Sequence, residues 1–305
     1  MKKLIPWLLA VVVFQLCIYL YLDRVLLVPA VSSVTQKAIG SDGASKLPSY
    51  DSSYLAEVSK DWVKIYSVKD NSVVNQVDIG DTEKLTYFSW LPDRNIALAG
   101  ISKPGTKGTI CTLKPLNMIT DSHPFEPSIT GLSKDAEIAD VAFSPDINVV
   151  YIQVKSRNSS SIYRTDANNN LTKVENTPSA IGRIANLKSE DALLYDSINT
   201  GRIYLVDKNG RKQVSPGDGS QYALIGTDKE DNIYIARLSG SKTGSKTSGK
   251  TGASKESSSQ NDNGQLAEAI LVGKMDGDFS PLQQAGLPYP AEFIRVGFDG
   301  KLLLK

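Results

Sequence analysis

Residues 138–174 read IADVAFSPDINVVYIQVKSRNSSSIYRTDANNNLTKV, and the fold follows from how this stretch is punctuated. Four short apolar or alternating runs stand out: Ile138–Phe143, Val149–Lys155, Ser161–Asp166 and Leu171–Val174. The breaks between them are Ser144-Pro145-Asp146, Arg157-Asn158-Ser159 and Ala167 to Asn170. Pro presets one turn dihedral, and Asn, Asp and Ser close turns through their side chains, so each break reads as a hairpin turn. The result is a meander of four strands. Such a unit cannot bury both of its faces alone and needs neighbours of its own kind.

The chain supplies them. Upstream, Leu85–Leu113 aligns through Trp90-Leu91-Pro92-Asp93 with Phe143-Ser144-Pro145-Asp146. Downstream, Gly201-Arg202-Ile203-Tyr204-Leu205-Val206-Asp207 aligns with Ser161-Ile162-Tyr163-Arg164-Thr165-Asp166. A further unit runs through Ala223–Leu238 and Ala267–Leu282, and Phe293–Leu304 supplies a first hairpin. First strands begin near 85, 138, 181, 223 and 293, at spacings of 53, 43, 42 and 70 residues. Setting aside a Gly/Ser/Lys insert at 240–264 brings the last spacing to about 45, and a period of about 42–45 with four strands per unit is that of a β-propeller blade. Trp62–Ile79 supplies the later two strands of a unit without the earlier ones. The expected architecture is therefore all-β: five four-stranded blades, one of them shared by both chain ends, or six if Tyr54–Val58 adds a strand. Sharing a blade would replace two open sheet edges with hydrogen bonds.

The SPD turn after the first strand and the IYxxD pattern on the third resemble the WD-repeat-like propeller repeats of bacterial envelope proteins, the Tol-system type among them. The resemblance covers roughly residues 54–305 and implies a fold, not an activity.

The N-terminus adds a second expectation. Lys2 and Lys3 precede LIPWLLAVVVFQLCIYLYL, residues 4–22. Nineteen residues at 1.5 Å each span about 28 Å, close to a bilayer core. Trp7, Tyr19 and Tyr21 sit where interfacial aromatics belong, and the preceding positive charge puts residues 1–3 in the cytoplasm and the rest outside. The run exceeds a cleavable signal core, so the reading is a single-pass signal-anchor helix at the cell membrane. Residues 23–53, rich in Ser and Gly, read as a stalk, and residues 54–305 as the extracytoplasmic propeller.

Composition narrows the chemistry. The 305 residues carry 34 basic and 33 acidic side chains, and without Lys2 and Lys3 the balance is 32 to 33. No basic block is interleaved with aromatics, which argues against nucleic acid. One histidine, His123, and two cysteines, Cys17 and Cys111, leave little for zinc sites or His-based catalysis. No cofactor signature appears. Residues 244–251, GSKTSGKT, fit GxxxxGK[ST], but a P-loop needs a strand before it and an amphipathic helix after it. Here the flanks are Gly, Ser, Lys and Thr, so no nucleotide is expected. Asp166, Asn168 and Asn170 match the first positions of a calcium loop, yet Leu171 and Thr177 stand where Gly and Glu belong. A hairpin turn is the better reading.

Two sets of residues remain as site candidates. Aligning the first strands places Tyr87, Asp140, Arg183 and Arg295 at equivalent positions, with Tyr222 or Ala223 in the remaining unit. First strands line a propeller's channel, so these side chains can form a ligand site at its mouth, or a structural cluster of charges between blades. Lys242, Lys246, Lys250 and Lys255 of the insert offer a cationic tether for an anionic surface polymer. The leading functional expectation is a non-enzymatic scaffold or recognition module for an envelope protein complex or such a polymer. The alternatives are a hydrolase or lyase acting on a sugar or lactone at the channel mouth, and a sensor coupled to a membrane partner through Gln15 of the anchor.

Overall fold

A computed structural model of the chain describes residues 15, 44–118, 125–157, 159–240, 265–283 and 286–304. The expected anchor (Gln15 apart), His123, the P-loop-like match and the four insert lysines lie outside the described residues. No helix among the described residues is long and apolar enough to cross a membrane.

The described residues form six antiparallel sheets in chain order. The first holds β1 (Ser45–Pro48), β2 (Tyr54–Val58), β3 (Trp62–Ser67) and β4 (Val73–Asp78). The second holds β5 (Lys84–Trp90), β6 (Ile96–Gly105), β7 (Gly108–Asn117) and β8 (Ser128–Leu132). The third is the template stretch, with β9 (Glu137–Ser144), β10 (Val149–Ser156), β11 (Ser159–Thr165) and β12 (Leu171–Lys173). The fourth holds β13 (Ile181–Asn186), β14 (Leu193–Ser197), β15 (Arg202–Asp207) and β16 (Gly210–Gln213). The fifth holds β17 (Tyr222–Thr227), β18 (Ile233–Leu238), β19 (Leu266–Gly273) and β20 (Phe279–Leu282), with the short β21 (Tyr289–Pro290) also paired to β19. The sixth is a hairpin of β22 (Ile294–Val296) and β23 (Leu302–Leu304).

Turn chemistry explains the hairpins. Asp166 accepts the N–H groups of Asn168 (2.9 Å) and Asn170 (3.2 Å), and Asn169 between them is left-handed at φ 63°. The supposed calcium positions are therefore an Asx-type turn between β11 and β12. Within the strands, alternation decides the faces: in WVKIYS of β3, Val63 and Ile65 are fully buried while their neighbours are half-exposed.

Apolar residues from neighbouring sheets interdigitate. Val63 and Ile65 of the first sheet share a core with Phe88 and Ala99 of the second, and Leu194 and Ile203 of the fourth with Leu224 and Ile235 of the fifth. The hairpin of β22 and β23 packs on the fifth sheet through Ile294, Ile270 and Ala236. Consecutive first strands from β5 onward run side by side: β5 by β9, β9 by β13, β13 by β17, β17 by β22.

Two boundary expectations are corrected. Residues 45–48, read as stalk, form β1 and pair with β2, so the first sheet completes itself from its own N-terminal side. Among the described residues it takes no strands from β22 and β23, which form a separate two-stranded sheet, so those residues build no blade shared by both ends. The signal missed was SKLP before the turn at Ser49–Ser53, too short and too polar to read as a strand by pattern.

Candidate functional site

The first strands carry a shared irregularity. Their pairing with the second strands slips at Leu85/Tyr87 in β5, between Ile138 and Asp140 in β9, at Ile181/Ile184 in β13 and at Leu224/Gly226 in β17. Each slip is a β-bulge, and a bulge re-aims a side chain. It also resets the alignment. Tyr87, Asp140, Ile184 and Gly226 occupy matching paired positions, whereas Arg183 lies inside its bulge, and Tyr222 and Ala223 fall outside the set.

Around these bulges lies a cavity of about 290 Å³ whose walls include Tyr87, Asp140, Arg183 and Arg295. The four candidates thus share one cavity. Lys155, Gln153, Lys188 and Asn186, which the sequence alone did not single out, line it too.

The polar groups are largely engaged with main chain. Asp140 accepts the N–H of Val141 (3.0 Å) and, across the sheet boundary, that of Ile184 (3.3 Å). Burial pushes its carboxyl up to about 6, against those two N–H groups and the positive charges of Arg295 and Lys155. Asp196 on β14 sits behind the cavity wall, accepting the N–H of Arg183 and that of Leu224 (3.2 Å). Burial lifts it to about 7, and the charge of Asp140 adds to the rise. Gly182 makes room for this carboxylate, since a Cβ there would stand 2.2 Å from Asp196 Oδ1.

Arg183 spends its guanidinium on four carbonyls: Leu224 (3.3 Å), Ile294 (2.8 Å), Ala291 (3.2 Å) and Glu292 (2.5 Å). It clamps the fourth sheet to the fifth and to the 291–294 segment. Arg295 donates from Nη1 to the carbonyls of Glu292 (2.6 Å) and Ile294 (3.0 Å). Burial pulls it below the ordinary guanidinium range, and Asp140 opposes that. Lys155 Nζ donates to Gly182 O at 3.3 Å. Tyr87 is held above the ordinary phenol range by burial and then by the charge of Asp140. In the loop after β13, Lys188 is 9 % exposed, and burial brings its ammonium down to about 8 despite the carboxylates of Asp231, Asp93, Asp228 and Asp146.

The insert departs from the paired ends of β18 and β19. Ser239 donates to Leu266 O (2.7 Å), and Gln265 O accepts the N–H of Ala291 (2.9 Å), whose own carbonyl holds Arg183. No group of three or more His, Cys, Asp or Glu side chains with metal-site geometry occurs among the described residues. Cys111 is buried, with Sγ 3.3 Å from Ser102 Oγ.

No protein-family model matches the chain, and no curated protein matches it. Solved structures do. A chain of a mitotic checkpoint complex is 14 % identical over 85 % of this chain and 70 % of its own length, with a TM-score of 0.51. A putative TolB from Agrobacterium tumefaciens is 15 % identical over 79 % and 80 % of the two chains, with a TM-score of 0.44. The β-propeller domain of the trilobed protease from Pyrococcus furiosus is 10 % identical over 81 % and 69 %, with a TM-score of 0.47. Likeness at such identities speaks to fold alone. With successive four-stranded sheets and adjoining first strands around a cavity, the chain is an all-β protein of the β-propeller class. The resemblance to propeller repeat proteins read from the SPD and IYxxD motifs holds at that level.

Proposed function

We propose that the protein is a non-enzymatic recognition module, a β-propeller held outside the cell membrane by residues 4–22, that binds an envelope protein complex or an anionic surface polymer. The observation that carries the reading is how the channel's polar groups are used. Asp140, Asp196 and Arg183 are bound to main-chain groups of neighbouring strands and segments, so they fix the sheets against one another. A general acid or base must reach the substrate proton, and each of these carboxylates is tied to the fold by two N–H donors. The lysines of the insert, Lys242, Lys246, Lys250 and Lys255, belong to the segment that joins β18 to β19. They are the proposed contacts for a polyanion.

Two measurements test this. Protease added to intact cells should remove the propeller, and the full-length chain purified from solubilised membranes should retain one specific protein or polymer. A propeller protected in intact cells, or preparations with no reproducible companion, would overturn the reading. So would turnover of a sugar or lactone by the purified chain that is lost in Asp140→Asn.

A further inference from the structure

The cavity has an uneven charge. Its walls carry four cationic residues, Lys155, Arg183, Lys188 and Arg295, against one carboxylate, Asp140. Each oxygen of that carboxylate already accepts an N–H group. The cations differ in what they have left to give. Arg183 has committed Nη1 and Nη2 to four carbonyls. Lys188 answers to the carboxylates of the surrounding loops. Arg295 uses only Nη1, so among the described residues its Nη2 and Nε, the parallel edge of the guanidinium, have no partner. Lys155 makes one hydrogen bond, to Gly182 O, with an ammonium that has three protons. The Nε–Nη2 edge matches the two oxygens of a carboxylate. Val141, Ile184, Ile225 and Val296 give the same cavity an apolar side.

Volume limits the size of the guest. A cavity of about 290 Å³ has room for about ten water-sized groups, enough for a small organic acid.

We propose that this cavity binds a small organic carboxylate, its head on the Nε–Nη2 edge of Arg295 and on Lys155, its carbon body against Val141, Ile184, Ile225 and Val296. The proposal goes beyond the preceding reading, in which Asp140, Asp196 and Arg183 serve the fold and the insert lysines make the contacts. It adds a small-molecule ligand to the macromolecular partner, and either can fail without the other.

Calorimetric titration of the described domain in its full-length, detergent-solubilised chain tests it, with succinate and benzoate as carboxylate probes, succinamide and benzamide as neutral ones, and inorganic phosphate as a third class. At least one carboxylate should bind with a 1:1 stoichiometry, its amide should not, and Arg295→Lys and Lys155→Gln should each weaken binding at least tenfold. Arg295→Lys keeps the charge and removes the fork. Lys155→Gln loses a single hydrogen bond to the fold, so melting curves matching the parent establish that it is folded. No carboxylate binding, binding of acid and amide alike, binding indifferent to both substitutions, or binding of phosphate alone would each overturn the proposal. Loss of the envelope partner with carboxylate binding intact would instead remove the reading of the preceding section.

Discussion

The Asp140 carboxylate accepts the backbone N–H of Ile184 at 3.3 Å, joining the first strand of the third sheet to the first strand of the fourth. One sheet further on, Asp196 repeats the device by accepting the N–H of Leu224 at 3.2 Å. First strands in different sheets do not share a ladder, so N–H groups beside their bulges need other acceptors, and buried carboxylates supply them. The two acids therefore act as stitches between sheets.

Their protonation gives the first prediction. Burial holds Asp140 at about 6 and Asp196 at about 7, both above the ordinary value of 3.8. Between about pH 4 and 7 the folded chain then keeps protons on these two groups that the unfolded chain has lost. The stability they contribute is complete below about pH 4 and declines as pH rises through 6 and 7. Exposed acids such as Asp70 and Asp135, held low by N–H and hydroxyl donors, work in the opposite direction, so the comparison with a variant isolates the effect. In urea unfolding, the margin of the parent over Asp196→Asn should be largest near pH 4.5 and shrink by pH 7.5. A margin that grows with pH would show that Asp196 is not raised.

Arg183 offers a second test. Its four carbonyl partners belong to Leu224 in β17 and to Ala291, Glu292 and Ile294. Removing it takes a charged donor from all four, although Glu292 O and Ile294 O keep Arg295 and Ala291 O keeps the Ile294 N–H; hydrogen bonds to charged groups contribute about 1.5–3 kcal/mol each. Arg183→Met should cost roughly 2–4 kcal/mol of stability, and hydrogen exchange should rise in residues 286–296 before it rises in the second sheet. Uniform loss of protection across all sheets would mean that Arg183 is not a local clamp.

How far the sequence reaches is clearest at these same residues. Strand starts were legible because turn chemistry is local: SPD, LPD and the Asn-rich turns mark hairpins wherever they occur. Tyr87, Asp140, Arg183 and Arg295, which line one cavity, were legible as a set because first strands recur along the chain. Their roles were not. A bulge adds one residue without changing composition, so Arg183 aligned as an equivalent of Asp140 although it occupies the inserted position. Asp196 and Lys155 lie on second strands and reach the site only through tertiary packing, which no period in the sequence encodes. The pairing of SKLP with YLAEV was hidden for another reason: a four-residue strand at the start of a domain carries too little apolar signal to distinguish it from a linker.

Gly182 supplies a third prediction. An alanine there would place Cβ 2.2 Å from Asp196 Oδ1, and the carboxylate is held from two sides by the N–H groups of Arg183 and Leu224. It cannot retreat without giving up one of them. Gly182→Ala should destabilise by roughly 2–4 kcal/mol, more than ordinary overpacking because a buried hydrogen bond goes with it. Asp196→Ser opens the space, so the double variant should be less destabilised than the sum of the two single ones. Additive costs in urea unfolding would place the clash elsewhere.

The outer face offers a last prediction, independent of the channel. Tyr151 on β10 donates its hydroxyl to Asp191 Oδ1 at 2.5 Å, and Arg164 on β11 meets the same carboxylate through Nε (3.0 Å) and Nη2 (2.7 Å). Asp191 lies in the loop joining β13 to β14, so this contact is a further link between the third and fourth sheets. Its components differ in exposure. The tyrosine is buried, while the Asp191 side chain is 43 % exposed and that of Arg164 26 %. The ion pair is therefore screened and contributes about 0.5–1 kcal/mol, whereas the buried hydroxyl loses its acceptor if Asp191 goes. Asp191→Ala should then cost more than Arg164→Ala, by about 1 kcal/mol, and Tyr151→Phe should remove most of that difference. High salt should weaken the Arg164 contribution and leave the Tyr151 contribution in place. Equal costs for the two single substitutions, both abolished by salt, would show that the hydroxyl has no part in holding the sheets together.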